Sequence, residues 1–397
     1  MKRGLLFLAH RIPYPPDKGD KIRSWHLLRH LAENWAVHLG AFVDDPEDWR
    51  HASKLAEVCA DLKLVPLDPG RRKWHSLAGL ATGEALTLPY YRDATLTAWV
   101  RDKLATGVSA AVVYSSAMAQ YVMDARDIRR IMDFVDIDSD KWRQYAPTKP
   151  WPLSWLYRRE ARRLLAWERR VAGEFDAGLF VSESEAADFR RLAPESAGKI
   201  GHFNNGVDAA YFSPEPARPS PFAAGERALV FTGAMDYWPN VDAVVWLARE
   251  VLPVLRGRHP DLVFYIVGSR PSAEVRALAG AGVKVTGRVE DVRPYLAHAA
   301  AVVAPLRIAR GIQNKVLEAM AMARSVVCSP QALEGIHAQL ETEVLRADGA
   351  AAFAAAVEQV LAGQDCGPAA RARVLADYTW PASLAGVDAR LAEGGQL

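Results

Sequence analysis

Residues 309–330, ARGIQNKVLEAMAMARSVVCSP, decide how the second half of the chain is expected to fold. The run AAVVAPLR before them has the apolar, β-branched composition of a buried strand, which we expect to end at Arg307. A loop containing Gly311 follows, and the run NKVLEAMAMA predicts a helix that begins near Asn314. The next apolar run, SVVCSP, predicts another strand. Strand, helix and strand in this order indicate a βαβ unit of a parallel sheet.

Several polar side chains lie at the start of this helix, where a fully buried helix would carry apolar residues. A helix N-terminus offers unpaired N–H groups and the positive end of the helix dipole, which together favour a phosphate. Lys315 adds a positive charge, and Glu318, about one turn further on, can accept two hydrogen bonds from a ribose diol. The alternative is an ordinary i,i+3 surface pair between these two residues. The polar set is Arg310, Gln313, Asn314, Lys315 and Glu318.

The alternation of apolar runs and helical periodicity extends along the whole chain, for example in GLLFLAH, AAVVYSS, ALVFTGAM and LVFYIVGS. It predicts an α/β fold with two Rossmann-like, doubly wound domains whose carboxyl strand ends meet at a shared cleft. The proline-rich stretch 209–227 interrupts the pattern and is predicted to be a linker. We therefore expect a first domain over 1–208, a second over 228–378, and a helix in 379–397 that can return to the first domain.

Composition and charge argue against several classes of protein. The net charge is only +2, because 49 basic residues nearly balance 47 acidic ones, so we expect no nucleic-acid partner. The three cysteines lack the spacing of a zinc site or a disulfide framework, which fits a reducing, cytoplasmic location. The N-terminal apolar run stops at His10, too early for a signal peptide. No window approaches the roughly 20 apolar residues of a membrane span, so we expect any membrane contact to be peripheral, on the inner face of the plasma membrane.

The stretch PPDKGDKIRSWHLLRHLA, after the first predicted strand, combines a loop with a helix. Gly19 would permit close approach of the backbone to a ligand, and Asp20 is a candidate N-cap. With Lys18 in the loop, and Lys21 and Arg23 nearby, this segment would contact a phosphate or an acceptor; the alternative is a simple capped turn. The helix is expected to bury Ile22, Trp25, Leu28 and Leu31.

The acidic stretch DFVDIDSDKW, at 133–142, contains another predicted strand end. Its carboxylates could suit a hard cation, which prefers several oxygen ligands. Alternatively Asp136 or Asp138 orients a substrate hydroxyl or the neighbouring Lys141, or the stretch forms only a turn. Other predicted strand ends carry His10 and His202, for which we favour a structural over a catalytic role.

Residues 155–171 predict a basic amphipathic helix. At about 100° per residue its arginines fall on one side, with apolar residues such as Leu164 and Val171 opposite. Flanked by Trp151 and Trp155, such a helix could dock on an anionic membrane. The alternative is a solvated face whose apolar side packs on its own domain. The arginines are Arg158, Arg159, Arg162, Arg163, Arg169 and Arg170.

Four motifs, taken in order along the chain, resemble those of retaining glycosyltransferases of the GT-B fold, the large family-4 group. They are FNNGVDAAYFSP, FTGAMDYWPNVDAVVWLA, VTGRVEDVRPYLAHAAAVVAPL and NKVLEAMAMARSVV. Three further stretches are similar to bacterial sugar transferases associated with exopolysaccharide loci of the PEP-CTERM/exosortase type. These are HRIPYPPDKGDKIRSWHLLRHLA, DFVDIDSDKWRQYA and FVSESEAADFR.

The resemblance implies transfer of a sugar from a nucleotide diphosphate sugar to an acceptor hydroxyl, with the anomeric configuration retained. A UDP-sugar is the favoured donor, and neither a metal ion nor another cofactor is expected. The acceptor would be a glycan or a lipid-linked glycan in the synthesis of a cell-surface polysaccharide. The first domain would bind the acceptor, and its phosphate or acceptor loop would include Lys18, Gly19, Asp20 and Asp138.

In the second domain the resemblance implies a donor site at the strand ends. Gly233 and Gly268 would let the backbone approach the nucleotide, and Glu318 would bind the ribose. The diphosphate would be held by Arg307, Arg310 and Lys315, with Gly311, Gln313 and Asn314 completing the loop. The residues expected to take part in catalysis are Arg310, Lys315 and Asp136.

The sequence also departs from this family pattern in two places. Arg310 stands where many relatives carry the first glutamate of a Glu-x7-Glu motif ending at Glu318. The turn after FTG, which usually supplies an arginine and a lysine to the pyrophosphate, contains neither. The loop around Arg310 and Lys315 would then supply the missing cations. The alternatives are an inactive enzyme, a non-catalytic nucleotide-sugar-binding protein, or a nucleotide-sugar epimerase on the same architecture.

Overall fold

The chain divides into two compact units in the computed structural model. Unit 1 comprises the residues up to Asn204 together with those from Leu384 onward. Unit 2 is Asn205–Ser383 and therefore includes the proline-rich stretch. The described residues are 2–16, 18–215, 217–309 and 311–392.

Unit 1 is built on a parallel sheet. Its strands are β1 (Arg3–Ala9), β2 (Trp35–Val43), β3 (Asp61–Pro66), β4 (Ala110–Tyr114), β5 (Arg129–Val135), β6 (Ala177–Phe180) and β7 (Ile200–His202). They lie in the order β3-β2-β1-β4-β5-β6-β7, and every neighbouring pair is parallel. In the register of β1, Leu5 lies opposite Val37 of β2 and Ala110 of β4. Leu5–Ala9 are fully buried, as expected for a strand covered on both faces.

The helices of unit 1 connect these strands. They are α1 (Gly19–Asn34), α2 (Ala52–Ala56), α3 (Pro69–Ser76), α4 (Ala78–Thr82), α5 (Thr87–Tyr90), α6 (Ala94–Ala105), α7 (Asp138–Tyr145), α8 (Leu153–Glu174) and α9 (Glu183–Leu192).

Unit 2 contains a second parallel sheet. Its strands are β8 (Arg227–Thr232), β9 (Leu262–Val267), β10 (Val283–Gly287), β11 (Ala301–Ala304), β12 (Val326–Cys328) and β13 (Leu345–Arg346). They lie in the order β10-β9-β8-β11-β12-β13, again with parallel pairs throughout. β11 ends at Ala304 and not at Arg307 as predicted, because Pro305 follows and has no N–H to continue the ladder.

The helices of unit 2 begin with α10 (Trp238–Trp246), which continues through a π-helical turn, Leu247–Val251, into α11 (Leu252–Arg258). The others are α12 (Ala273–Arg276), α13 (Arg293–Ala297), α14 (Asn314–Ala321), α15 (Ala350–Leu361) and α16 (Gly367–Asp377). The last helix, α17 (Trp380–Ala392), starts in unit 2, and its residues from Leu384 belong to unit 1. There His30 Nε2 of α1 lies 2.7 Å from Asp388 Oδ2.

These two sheets confirm the predicted fold class, an α/β architecture with two parallel, doubly wound layers. The predicted start of α14 at Asn314 is also confirmed. Among the described residues, no helix is both long and apolar enough to cross a membrane.

The first turn of α1 differs from its predicted form. Lys18, in an extended conformation, occupies the N-cap position without a side-chain hydrogen bond, so Asp20 is not the cap. Asp20 Oδ2 instead accepts a hydrogen bond from Arg11 Nη1 at 2.6 Å. Of the four residues predicted to be buried, Ile22 is only half-buried, whereas Lys21 is buried in its helix. Lys21 Nζ donates to Asp48 Oδ2 at 2.6 Å, which explains how a lysine can occupy this face.

Arg23, also predicted to lie near a phosphate, is a buried structural residue. Its Nε and Nη2 donate to the two carboxylate oxygens of Asp133 at 2.9 and 3.0 Å. Its Nη1 donates to the Phe203 carbonyl at 2.9 Å, and the guanidinium lies 3.5 Å from the Phe203 ring centroid. Arg23 and Asp133 are 0% and 1% exposed, so the charge of each depends on the other. The pair ties α1 to β5 and to the segment after β7.

Replacing Asp133 with alanine is expected to lower the free energy of unfolding of unit 1 by about 3–5 kcal/mol. The reason is that the guanidinium of Arg23 would remain buried without its counter-charge, and arginine does not lose its proton. Urea unfolding followed by circular dichroism measures the change. Asp124→Ala is the matched control, because Asp124 is exposed and surface substitutions usually stay within about 0.5 kcal/mol. Equal effects of the two variants would contradict a stabilising role for the pair.

Candidate functional site

The strand order reverses beside the first strand of each sheet, and the predicted site residues concentrate there. In unit 2, β8 pairs with β9 on one side and with β11 on the other. In unit 1 the reversal lies between β1 and β4. Connections from neighbouring strands diverge at such a point, and ligands of doubly wound sheets bind in the crevice outside the carboxyl strand ends.

Lys315, in the first turn of α14, reaches the segment that follows β8. Its Nζ donates a hydrogen bond to Asn240 Oδ1 at 2.5 Å and lies 4.3 Å from the ring centroid of Phe231. The amide of Asn240 is held in turn, because Nδ2 donates to the Ala234 carbonyl at 2.9 Å. Burial lowers the pKa of Lys315 to about 7, against the opposing effect of Glu318. The direct partner of the ammonium is thus a neutral amide, which leaves its charge available to an anion.

Glu318 lies one turn beyond Lys315 and is half-buried. Burial raises the pKa of its carboxyl group to about 7, an effect that Lys315 opposes. Within the part of the chain that the structure describes, the carboxylate accepts no hydrogen bond and joins no ion pair. The alternative of an ordinary surface pair with Lys315 therefore does not fit, and the carboxylate is available to a ligand.

Within the described part of the chain, no side chain caps the N-terminus of α14. Gln313 occupies the cap position, and its Nε2 donates to the Gly311 carbonyl at 3.0 Å. Gly311 has a φ of 64°, in the left-handed region that favours glycine. The buried Oδ1 of Asn314 makes no hydrogen bond to any described residue. The terminal backbone N–H groups can therefore receive an anion.

Gly233 and Gly268, predicted to approach a nucleotide, make room for protein groups. A Cβ at Gly233 would lie 2.7 Å from Asn240 Nδ2 and 3.3 Å from Lys315 Nζ. A Cβ at Gly268 would lie 1.7 Å from the carbonyl oxygen of Gly233. Glycine at both positions therefore allows the ends of β8 and β9 to meet and Asn240 to lie beside Lys315. Contact with a nucleotide stays a prediction.

For the two arginines predicted to bind the diphosphate, Arg307 and Arg310, the structure gives less support than for Lys315. Arg307 is exposed, and its Nε donates to Asp242 Oδ2 at 2.9 Å, so its charge is already paired. Arg310 lies outside the described residues. Their roles stay predictions.

Unit 1 contains a cavity of about 760 Å³ at the carboxyl ends of β1, β4 and β5. It brings together three predicted site residues, Asp20, Asp136 and Asp138, whereas Lys18 and Gly19 are exposed and do not line it. We call it the unit 1 cavity. Its aromatic lining consists of Tyr90, Tyr91, Tyr114, Phe134, Trp142 and Tyr157, beside the ring of His10.

Two cavity residues have strained backbone conformations. Ser115 follows β4 with a φ of 75°, and Val135 ends β5 with a φ of 69°. A positive φ is rare outside glycine and especially unfavourable for a β-branched residue. Because such strain concentrates at functional sites, its occurrence twice in this lining supports a functional cavity.

Asp136 and Asp138 both hold Lys141, one of the roles considered for them from the sequence. Lys141 Nζ donates to Asp136 Oδ2 at 2.9 Å and to Asp138 Oδ1 at 3.0 Å. Burial opposes the charge, but the two carboxylates outweigh it and raise the pKa of Lys141. The other two aspartates of the stretch have arginine partners, Arg23 for Asp133 and Arg143 for Asp140. Among the described residues, no group of three His, Cys, Asp or Glu could hold a metal ion.

His10 also lines the unit 1 cavity. Its ring stacks on that of Tyr114, with centroids 5.7 Å apart, and its Nε2 lies 3.7 Å from Asp20 Oδ2. Burial lowers the pKa of His10 and favours the neutral ring. Its buried Nδ1 has no hydrogen-bond partner among the described residues. The structural role favoured from the sequence explains the stacking but not this unpaired nitrogen.

Sequence reasoning missed Asn240 and the tyrosines of the cavity. Asn240 is the partner of Lys315, 75 residues away, and the available signal was a buried polar residue in the first turn of an apolar helix. Tyr91 and Tyr114 gave no comparable signal, because tyrosine occurs both in cores and at surfaces and its presence alone does not indicate a site.

Comparison with solved structures assigns the fold class. The sucrose-phosphate synthase of Thermosynechococcus elongatus has a TM-score of 0.68 at 18% identity, over 98% of this chain and 98% of that chain. HepE of Anabaena, solved with UDP and glucose, has a TM-score of 0.67 at 13% identity, over 98% and 100%. WaaG, a glycosyltransferase involved in lipopolysaccharide biosynthesis, has a TM-score of 0.59 at 14% identity, over 99% and 100%. The chain therefore has the GT-B fold that its motifs resemble.

The comparison with protein-family models covers a smaller part of the chain. Residues 226–363 match the family model described as Glycosyl transferases group 1. This segment contains Gly233, Asn240, Lys315 and Glu318. No curated protein matches the chain significantly. The fold and the matched segment together support a glycosyltransferase, while the similarity to PEP-CTERM-associated transferases stays a prediction.

Replacing Lys315 with methionine is expected to weaken UDP binding by roughly 10- to 100-fold, the usual size of a charge-assisted hydrogen bond. Because burial lowers the pKa of Lys315 to about 7, its charge is present below that pH and lost above it. The affinity difference between wild type and variant should therefore shrink as the pH rises from 7 towards 9. Calorimetric titrations at several pH values measure this difference.

The matched control is Lys284→Met, since Lys284 is an exposed lysine of the same unit that pairs with Glu226. We expect its UDP affinity to equal that of wild type at every pH. Unchanged UDP affinity in Lys315→Met would remove Lys315 from the anion site.

Proposed function

We propose that this protein is a retaining glycosyltransferase that moves a sugar from a nucleotide diphosphate sugar, a UDP-sugar being favoured, to an acceptor hydroxyl. The observation that carries the proposal is the pairing of Lys315 with a neutral amide, at the strand-order reversal of unit 2. Beside it lies Glu318, whose carboxylate has no hydrogen bond or ion pair with any described residue. One side chain offers a cation for the diphosphate, and the other offers an acceptor for the ribose diol.

The donor class is supported by related structures. HepE of Anabaena was solved with UDP-glucose, and the trehalose-phosphate synthase of Burkholderia xenovorans is named as UDP-forming. In unit 2, the phosphates of a UDP-sugar would bind at the N-terminus of α14 and at Lys315. Retention of the anomeric configuration rests on the resemblance of the motifs.

Negative charge develops on the diphosphate as the bond to the sugar breaks. A preorganised ammonium and a helix N-terminus stabilise that charge where it forms. Lys315 would take this role, with Arg310 and Arg307 as further cations if nucleotide binding draws Arg307 from Asp242. In this scheme no metal ion is needed to neutralise the leaving group.

The unit 1 cavity is our candidate for the acceptor site. Its apolar and aromatic lining suits the faces of sugar rings, and its few convergent polar groups would orient a hydroxyl. Asp136 is our first candidate for holding that hydroxyl, with Asp138 and Lys141 beside it. His10 Nδ1 is a second candidate partner for the hydroxyl.

The biological setting that we propose is synthesis of exopolysaccharide or another cell-surface glycan on the inner face of the plasma membrane. The role of WaaG in lipopolysaccharide biosynthesis supports such a setting for a protein with this fold. The acceptor would then be a glycan or a lipid-linked glycan.

The decisive experiment is calorimetric titration with UDP, GDP and ADP, followed by a nucleotide-release assay with UDP-sugars and a panel of glycoside acceptors. We expect tightest binding of UDP and acceptor-dependent release, with an unchanged anomeric configuration in the first product seen by NMR. Binding without release would identify a nucleotide-sugar-binding protein instead. An altered sugar still attached to UDP would identify an epimerase.

Glu318→Ala tests the ribose role. In wild type, replacing UDP with 2′-deoxy-UDP is expected to reduce affinity by roughly tenfold, the value of one good hydrogen bond. In Glu318→Ala the two nucleotides should bind equally, because the carboxylate that distinguishes them is gone. Calorimetry of both ligands gives the four affinities of this cycle. Glu334→Ala, at an exposed position of the same unit, should retain the wild-type difference, and discrimination that survives in Glu318→Ala would rule out the ribose contact.

A further inference from the structure

Exposed apolar side chains gather on two neighbouring segments of unit 1. On α3, α4 and the residue between them, Trp74, Leu77 and Leu80 are 76%, 41% and 42% exposed. At the start of α8, Trp151 is 82% exposed and Trp155 is 51% exposed. Tryptophans are costly to leave in water, so exposure of this size on two adjoining segments indicates an interaction surface.

The two segments adjoin at the unit 1 cavity. Lys73 and Leu77 line it from the α3 side, and Leu156 and Tyr157 line it from α8. Arg159, which the helical wheel placed on the exposed basic face, is in fact buried, and its Nη2 donates to the Gly79 carbonyl of α4 at 2.6 Å. Arg159 therefore links α8 to α4 through this hydrogen bond and is not available at the surface. We call the combined surface of residues 69–82 and 149–163 the docking surface.

The residues of this surface are mostly basic, but two of its cations have acidic partners outside it. Arg72 is half-buried and pairs with Asp93 at 2.7 Å, and Arg71 lies 3.7 Å from Asp68. Residues 69–82 contain Arg71, Arg72 and Lys73 and no acidic residue. Residues 149–163 contain a single acid, Glu160, which is buried and accepts from the backbone N–H of Leu86 at 2.7 Å.

The cations differ along α8. Arg158, Arg162 and Arg163 are exposed and form no ion pair with any described residue. Further along the helix, Arg169 pairs with Glu195 and Arg170 with Glu174, at 2.8 and 2.9 Å. The uncompensated charge thus lies at the end of α8 that carries the tryptophans.

We propose that the docking surface binds an anionic lipid bilayer. Tryptophans and leucines would enter the headgroup region, while the arginines and lysines contact lipid phosphates, the division found in interfacial segments of peripheral proteins. The cavity borders both segments and would open at the level of the headgroups. Its link to a lipid-linked acceptor rests on the proposed function.

The test is sedimentation of the full chain with vesicles of phosphatidylcholine, with and without phosphatidylglycerol. We expect binding only to the anionic vesicles, weakening as salt is raised. The variant Arg158→Gln/Arg162→Gln/Arg163→Gln should lose roughly 100-fold or more in partitioning, since each cation near an anionic surface contributes about one order of magnitude or slightly less. The matched control, Arg169→Gln/Arg170→Gln, should partition within about threefold of wild type.

A second variant tests the apolar contribution. Trp74→Ser/Trp151→Ser/Trp155→Ser should also lose most of its partitioning, while Trp49→Ser, at a less exposed tryptophan of the same unit, should not. Absence of binding to anionic vesicles, or equal losses in test and control variants, would overturn the proposal. UDP titration of the same variants separates the two hypotheses. Normal UDP binding without vesicle binding refutes only the docking surface, and vesicle binding without UDP binding refutes only the donor site.

Discussion

The reversal of strand order beside the first strand of each sheet is the constraint on which both candidate sites depend. Parallel strands end at one edge, and there the connections on either side of the reversal leave a crevice. In unit 2 this places the segment after β8 against the start of α14, so that Asn240 meets Lys315. In unit 1 it places the end of β1 beside the end of β4, where His10 stacks on Tyr114. Neither pair is close in sequence, and the topology alone brings each together.

Arg23, which is buried, and Lys315, which is half-buried, show how a structural charge differs from a candidate ligand-binding one. Arg23 has a bidentate carboxylate and a backbone carbonyl, so a ligand would have to break a complete set of hydrogen bonds to use it. Among the described residues, Lys315 contacts an amide oxygen and an aromatic face, and the carboxylate of Glu318 acts on it without forming an ion pair. An amide holds the ammonium in position without cancelling its charge, and burial without cancellation is what lowers its pKa. The incomplete partnership, more than the burial, is why we propose Lys315 as the ligand-binding cation.

Much of this architecture was predictable because local signals agree with the global fold. The alternation of apolar runs, Gly311 and the run that begins at Asn314 all indicate βαβ units. Two of the errors share one cause, which is that the spacing of residues along a helix does not show which of its charged side chains are buried. Arg23 and Arg159 are buried because their partners, Asp133 and the Gly79 carbonyl, lie 110 and 80 residues away in sequence. No local pattern reveals such a partner, so Arg23 was predicted to lie near a phosphate and Arg159 was placed on the exposed basic face of α8.

Helix α8 illustrates what decides between a solvated face and an interaction surface. Both ends of the helix carry exposed arginines, and hydrophobic periodicity does not distinguish them. The distinction comes from residues outside the periodic pattern. Glu174 and Glu195 neutralise Arg169 and Arg170, whereas no described acid reaches Arg158 or its neighbours on the tryptophan side. Exposed ion pairs such as those of Arg169 and Arg170 contribute little to stability, and they are what an ordinary solvated helix face contains. Cations that have no ion pair among the described residues, beside exposed tryptophans and an aromatic cavity, instead match a ligand that is both anionic and apolar. The headgroup region of a membrane has this character.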